Sequence, residues 1–141
     1  MNNYYLDSSI LVPLLANNHI DNKLVTEKLN KIKGNNILLI SLLTIDETWY
    51  VIYKISRNTK TFGEFSRKFK KVILNLLKVK NLYLIKGLNE TDVLNTGIQS
   101  AINYNIRPRD SFHYAYTKLT NSTILTKDKD FIKTDLNIDL F

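Results

Sequence analysis

The sequence predicts one α/β domain built on a parallel sheet. Short apolar segments alternate with longer segments of helical period along all 141 residues. The short segments, such as ILLIS at 37–41, are continuously apolar instead of alternating, as in a parallel sheet covered on both faces. No internal repeat, low-complexity tract or Pro/Gly-rich linker divides the chain.

Residues 3–7 read as a short buried strand. Residues 11–16 continue as an apolar helix, with Ser8 or Ser9 as its N-cap. Asp7 is a weaker cap candidate, because either serine does the job without a charge. Residues 19–33 fit a second helix, with Ile20, Leu24, Leu29 and Ile32 at roughly helical spacing, and Gly34-Asn35-Asn36 stops it. Residues 37–41 form the second strand. Residues 42–56 are apolar nearly all round, so an internal helix is expected. Residues 61–80 are the clearest amphipathic helix, with Phe65, Phe69, Val72 and Leu76 on one side. At about 100° per residue, Lys60, Arg67, Lys71 and Lys78 fall within roughly 40° of one another on the other side. Residues 82–86 are the third strand and 90–105 a helix. Arg107-Pro108 opens another helix, which runs to about residue 119. Residues 123–126 make a fourth strand and 138–141 a fifth. Tyr4, Tyr5, Trp49, Tyr50 and Tyr53 are expected in the core.

The composition narrows the class. A hydrophobic fraction of 44% and an aromatic fraction of 11% belong to a folded protein, not a disordered one. Without cysteine there is no disulfide framework and no thiolate metal site, which is compatible with a reducing cytosol; a cytoplasmic protein is expected. No apolar run approaches the ~20 residues of a membrane span. The first 19 residues lack a basic n-region, and Asp7 interrupts their apolar segment, so they are expected to stay in the mature protein. The formal net charge of +7 favours a polyanionic partner, although the pervasive Asn, Lys and Ile also fit plain compositional bias.

Four acids stand in or beside apolar stretches: Asp7 in YYLDSSIL, Glu47 in TIDETWY, Asp110 in RPRDSFHYAY and Asp128 in ILTKDKDF. A lone carboxylate is costly in such surroundings. In an open parallel sheet, functional groups gather beyond the carboxyl ends of the strands. Asp7 and Asp128 follow strands, whereas Glu47 and Asp110 lie near helix starts. Four carboxylates converging there need a cation, and a divalent metal with oxygen ligands is the simplest one. Ordinary roles compete: Asp110 suits a helix start and Asp128 a turn. Glu47 is harder to dismiss, because its helix neighbours include Leu43, Tyr50 and Val51. Asp46 and Asp130 are nearby alternatives to Glu47 and Asp128.

In this order the four segments resemble the PIN domain family, and within it the VapC-type toxin ribonucleases of toxin–antitoxin pairs. LDSSILVPLL is similar to the family's first strand and following turn, LTIDETWYVI to its Glu-bearing helix, RPRDSFHYAYT to its Asp-Ala-His-Ala helix, and ILTKDKDF to its closing Thr-x-Asp-x-Asp-Phe turn. The chain departs mildly, with Ser111 where Ala is frequent and Arg109 where an apolar residue is common.

The resemblance implies a three-layer α/β/α fold and a metal-dependent endoribonuclease using Mg²⁺ or Mn²⁺. By position, Asp7, Glu47, Asp110 and Asp128 match the acidic quartet, with Asp7 and Asp110 as primary ligands. Ser9 and Thr126 match supporting hydroxyls. Arg107 and Arg109 flank the site as candidate RNA contacts. His113 is tempting as a general base, but a structural role fits better. The resemblance also implies an RNA substrate, a cognate antitoxin partner and a homodimer. The alternative is a catalytically silent PIN-fold module that binds RNA or protein. A phosphatase with an aspartyl nucleophile would show Asp-x-Asp after its first strand, where this chain has Asp7-Ser8-Ser9. A nucleotide-binding protein would show a Gly-rich loop, and the four glycines here form none.

Overall fold

The computed structural model describes residues 1–56 and 61–141. Lys60, one member of the predicted basic stripe, lies outside the described residues. The elements run β1 (Asn3–Leu6), α1 (Ser8–Leu15), α2 (Asn22–Ile32), β2 (Ile37–Ile40), α3 (Leu42–Ser56), α4 (Phe62–Leu76), β3 (Leu82–Leu84), α5 (Glu90–Tyr104), α6 (Pro108–Leu119), β4 (Thr123–Thr126), a 3₁₀ turn (Lys129–Lys133) and β5 (Ile138–Leu140). The five strands form one sheet in the order β3-β2-β1-β4-β5, with every neighbouring pair parallel.

Alternating residues of the central strands send side chains to opposite faces. Leu6, Leu38, Ile40 and Leu125 pack with Ile10 of α1 and with Val25 and Leu29 of α2. Tyr5 and Ile124 pack on the other face with Ile106, which precedes α6, and with Tyr114 of α6. Helices therefore cover both faces, giving the three layers expected. This two-sided burial is why the strands read as unbroken apolar runs. The helix α5 ends at Asn105, which takes the left-handed conformation (φ 51°). Close packing of α5 on α6 depends on Gly97, where a Cβ would lie 3.2 Å from the Phe112 ring.

Several local expectations are corrected. Asp7, not Ser8 or Ser9, caps α1, its carboxylate accepting the Ser9 amide hydrogen. The helix α2 begins at Asn22, leaving Ile20 exposed in the preceding turn. In α4 the buried stripe is Phe65, Phe69 and Ile73, so Val72 faces outward. This helix stops at Leu76, not at residue 80, and begins with a capping box between Thr61 and Glu64.

The largest correction concerns α3. Its buried residues are Thr44, Glu47 and Thr48, while Leu42, Tyr50 and Ile55 are 69%, 56% and 57% exposed. The helix is turned with a polar face inward. Tyr50 therefore lies outside the core, whereas Tyr5 is fully buried within it.

Candidate metal centre

The strand order places β1 and β4 side by side, with chain connections leaving toward opposite edges of the sheet. A crevice opens beyond the carboxyl ends of strands at such a switch point. Register aligns Leu6 with Leu125, so Asp7 and Thr126, the next residue of each strand path, come together. The Thr126 hydroxyl donates to Asp7 Oδ2 at 2.5 Å. Asp7 Oδ1 accepts from the Ser9 amide at 2.9 Å and from the Ser9 hydroxyl at 2.5 Å. The Ser9 and Thr126 oxygens then accept from the amides of Lys127 and Asp128, each at 2.9 Å. The two hydroxyls thus tie Asp7 to the loop that carries Asp128.

Glu47 enters from α3. Its Oε2 accepts from the Ser8 hydroxyl at 2.7 Å and pairs with His113 Nε2 at 2.8 Å. Arg109 Nε lies 4.0 Å from Oε1, on a largely exposed side chain. Asp110 lies in the first turn of α6, where a carboxylate suits the positive helix end. Asp128 caps the 3₁₀ turn, accepting from the Asp130 amide at 2.8 Å.

Asp110, Asp128 and Asp130 each offer a carboxylate oxygen, and these oxygens lie within 4.8 Å of one another. All three residues are half-buried. Among the described residues, no donor reaches the carboxylate of Asp110 or Asp130. Burial, followed by the charge of Asp128, pushes the Asp110 carboxyl above its ordinary 3.8; Asp130 and Glu47 push the same way, and His113 opposes them. Asp7 is also raised, because burial outweighs its hydroxyl and amide donors. For Glu47 burial is again the largest single influence and acts upward. His113, the Ser8 hydroxyl and Arg109 together overcome it and hold the carboxyl below its ordinary 4.5. Hard oxygen donors gathered under mutual repulsion, with few protein donors, fit a divalent cation.

A sequence profile of the PIN domain matches residues 4–137. The chain belongs to the PIN domain family. No curated protein matches it in sequence. Among solved structures, it is similar to VapBC2 from Rickettsia felis bound to a DNA fragment from its promoter, at 17% identity and TM-score 0.70 over 98% of each chain. It is similar to VapC20 of Mycobacterium tuberculosis, a sarcin–ricin loop cleaving toxin, at 11% identity and TM-score 0.69, covering 94% of this chain and 95% of that one. It is similar also to VapBC-1 from nontypeable Haemophilus influenzae, at 17% identity and TM-score 0.68, covering 98% of this chain and 97% of that one. At these identities the likeness establishes the fold.

In this PIN domain the sequence-predicted residues divide into two sets. Asp110 and Asp128 join Asp130, whereas Asp7 and Glu47 stand beside that trio with their own protein donors. Asp46 is exposed on α3. Arg107 is the exposed N-cap of α6 and has no capping hydrogen bond from its side chain. Sequence reading treated Ser8 only as a cap candidate and did not anticipate its bond to Glu47. Nor did it anticipate the contacts of Tyr5 with Ser41, Thr44 and His113. The available signal was a tyrosine, two hydroxyls and a histidine sitting among apolar residues, where each needs a partner.

Proposed function

We propose that this PIN domain is a Mg²⁺- or Mn²⁺-dependent endoribonuclease and the toxin of a toxin–antitoxin pair. The observation that carries the reading is the meeting of Asp110, Asp128 and Asp130 at the switch point of the sheet, without enough donors to balance them. Asp110, Asp128 and Asp130 would hold the ion, with Asp7 and Glu47 beside them. The bound ion would supply Lewis-acid stabilisation of the scissile phosphodiester and make water a better nucleophile. It would also turn a cleft that repels phosphate into one that accepts it.

The chain's own residues do the positioning. Ser9 and Thr126 lock Asp7 to the Asp128 loop. Glu47 keeps its charge beside Asp110 because His113 and Ser8 hold it. Arg109 and Arg107, both exposed at the start of α6, would meet the RNA backbone. The net charge of +7 favours the same substrate. The toxin role and the antitoxin partner draw support from the toxin–antitoxin complexes among the similar structures, including one from Klebsiella pneumoniae. A homodimer and a cytoplasmic location belong to the same reading. Among the described residues, no helix is long and apolar enough to cross a membrane.

The test is cleavage of total RNA by purified protein with Mn²⁺, with chelator, and with Asp110→Asn. Cleavage by the wild type alone, lost with chelator, supports the reading. Equal cleavage by both proteins, or cleavage indifferent to chelator, contradicts it.

A further inference from the structure

Behind Glu47 runs a buried line of polar groups that starts on the opposite side of the strand end. Tyr5 is fully buried on β1, and its hydroxyl meets Ser41 Oγ at 2.8 Å, Thr44 Oγ1 at 3.0 Å and His113 Nδ1 at 2.6 Å. The other ring nitrogen of His113 meets Glu47 Oε2 at 2.8 Å. These residues come from β1, the β2–α3 junction, α3 and α6.

The proton positions follow from donor and acceptor counting. A carboxylate only accepts, so His113 Nε2 carries the hydrogen that reaches Glu47. In the neutral ring Nδ1 then accepts, which makes Tyr5 its donor. The Thr44 hydroxyl donates to the Leu6 carbonyl at 3.1 Å. The Ser41 oxygen accepts from the Thr44 amide at 3.1 Å and lies within hydrogen-bond reach of both the Tyr5 oxygen and Thr44 Oγ1. The step from Tyr5 through His113 has one direction, and it ends on Oε2. Ser8 donates to the same oxygen, so Oε2 carries two donors, while among the described residues Oε1 has only Arg109 Nε at 4.0 Å.

We propose that Tyr5 is a positioning residue. By donating to Nδ1 it holds the His113 ring against Glu47, so that Oε2 stays engaged and Oε1 is left for the acidic cluster, and it thereby tunes the cluster's affinity for a divalent cation. The inference rests on the reading that the cluster binds such an ion. Partners that orient a neighbouring ligand group typically affect metal affinity by tenfold or more. Ordinary core packing would make different demands. The Tyr5 ring already stacks with Tyr116 at 6.2 Å, and Tyr5→Phe keeps that contact while removing only the hydroxyl.

The experiment has two readouts on the full chain. Nitrogen NMR of the imidazole reports the His113 tautomer, and calorimetric titration with Mn²⁺ alone reports affinity. The wild type should show the Nε2–H form. A folded Tyr5→Phe should keep that form, which Glu47 sets, but should show a shifted Nδ1 resonance from loss of its donor and bind Mn²⁺ about tenfold more weakly. His113→Gln retains a donor toward Glu47 and should bind Mn²⁺ more tightly than His113→Phe. An Nδ1–H wild-type ring, or a Tyr5→Phe protein with unchanged Nδ1 resonance and Mn²⁺ affinity, would overturn the proposal. If Tyr5→Phe does not fold, equal Mn²⁺ affinity in the two His113 variants overturns it instead. A wild type that binds no Mn²⁺ overturns the metal-centre reading and the positioning claim together. The tautomer measurement separates that result from failure of the hydrogen-bond line itself.

Discussion

Two groups of acids share one end of the sheet and are treated in opposite ways by the fold. Asp7 and Glu47 are buried and wrapped in donors: Ser9, Thr126, Ser8 and His113 all point at them. Asp110, Asp128 and Asp130 are half-buried and face one another with almost no such help. The contrast teaches that neither burial nor acid content identifies the place where a cation is needed. The deciding quantity is negative charge left over after the protein's own donors are counted. Asp7 is intermediate, since three donors do not cancel its burial.

Substitutions in the two groups should therefore fail differently. Asp110→Asn should cut Mn²⁺-dependent cleavage by at least about a hundredfold, or about 2.7 kcal/mol of transition-state stabilisation, in a single-turnover assay. Its fold should survive. Thr126→Val should do the reverse damage, because it strips one hydroxyl from both Asp7 and the Asp128 amide in a fully buried position. A loss of about 2–3 kcal/mol in urea unfolding is expected. A Thr126→Val protein as stable as the wild type would erase the distinction between the groups.

The ion-free protein offers a finer comparison between Asp110 and Glu47, whose carboxyls are shifted in opposite directions. Asp110 titrates above 3.8 in the folded state, so its stabilising contribution is full below that value and is lost as pH rises through the raised value. Glu47 titrates below 4.5, so its contribution is present above that value and is lost as pH falls through the lowered one. At neutral pH without metal, Asp110→Asn should accordingly raise the Tm by about 3 °C, whereas Glu47→Gln should lower it. Calorimetric scans on both variants check the signs. The smallest effect belongs to Arg109→Ala. Its guanidinium is exposed and 4.0 Å from Glu47, so stability should change by less than about 0.5 kcal/mol, read by the same scans.

Much of this was legible in the sequence, for identifiable reasons. The five strands were readable because both faces of the sheet are covered, which makes each an apolar run. Helix ends were less readable. Ile20 continues the apolar period of α2 although the chain is still in a turn there. The orientation of α3 was illegible: when nearly every face is apolar, periodicity carries no direction, and the inward face turned out to hold Thr44, Glu47 and Thr48. Apolar context singled out Asp7, Glu47, Asp110 and Asp128 as unusual acids. It could not rank Asp130, which sits in a polar turn, nor pair Tyr5 with His113 across 108 residues.

Uncompensated charge at Asp110, Asp128 and Asp130 is read out by titrating Mn²⁺ into the purified protein near neutral pH, beside Asp110→Asn. Saturable binding is expected in the wild type, with stability rising by about 2.7 kcal/mol at a hundredfold excess over Kd, and neither effect is expected in the variant. Identical titrations for the two proteins, or no binding to the wild type at saturating Mn²⁺, would contradict it.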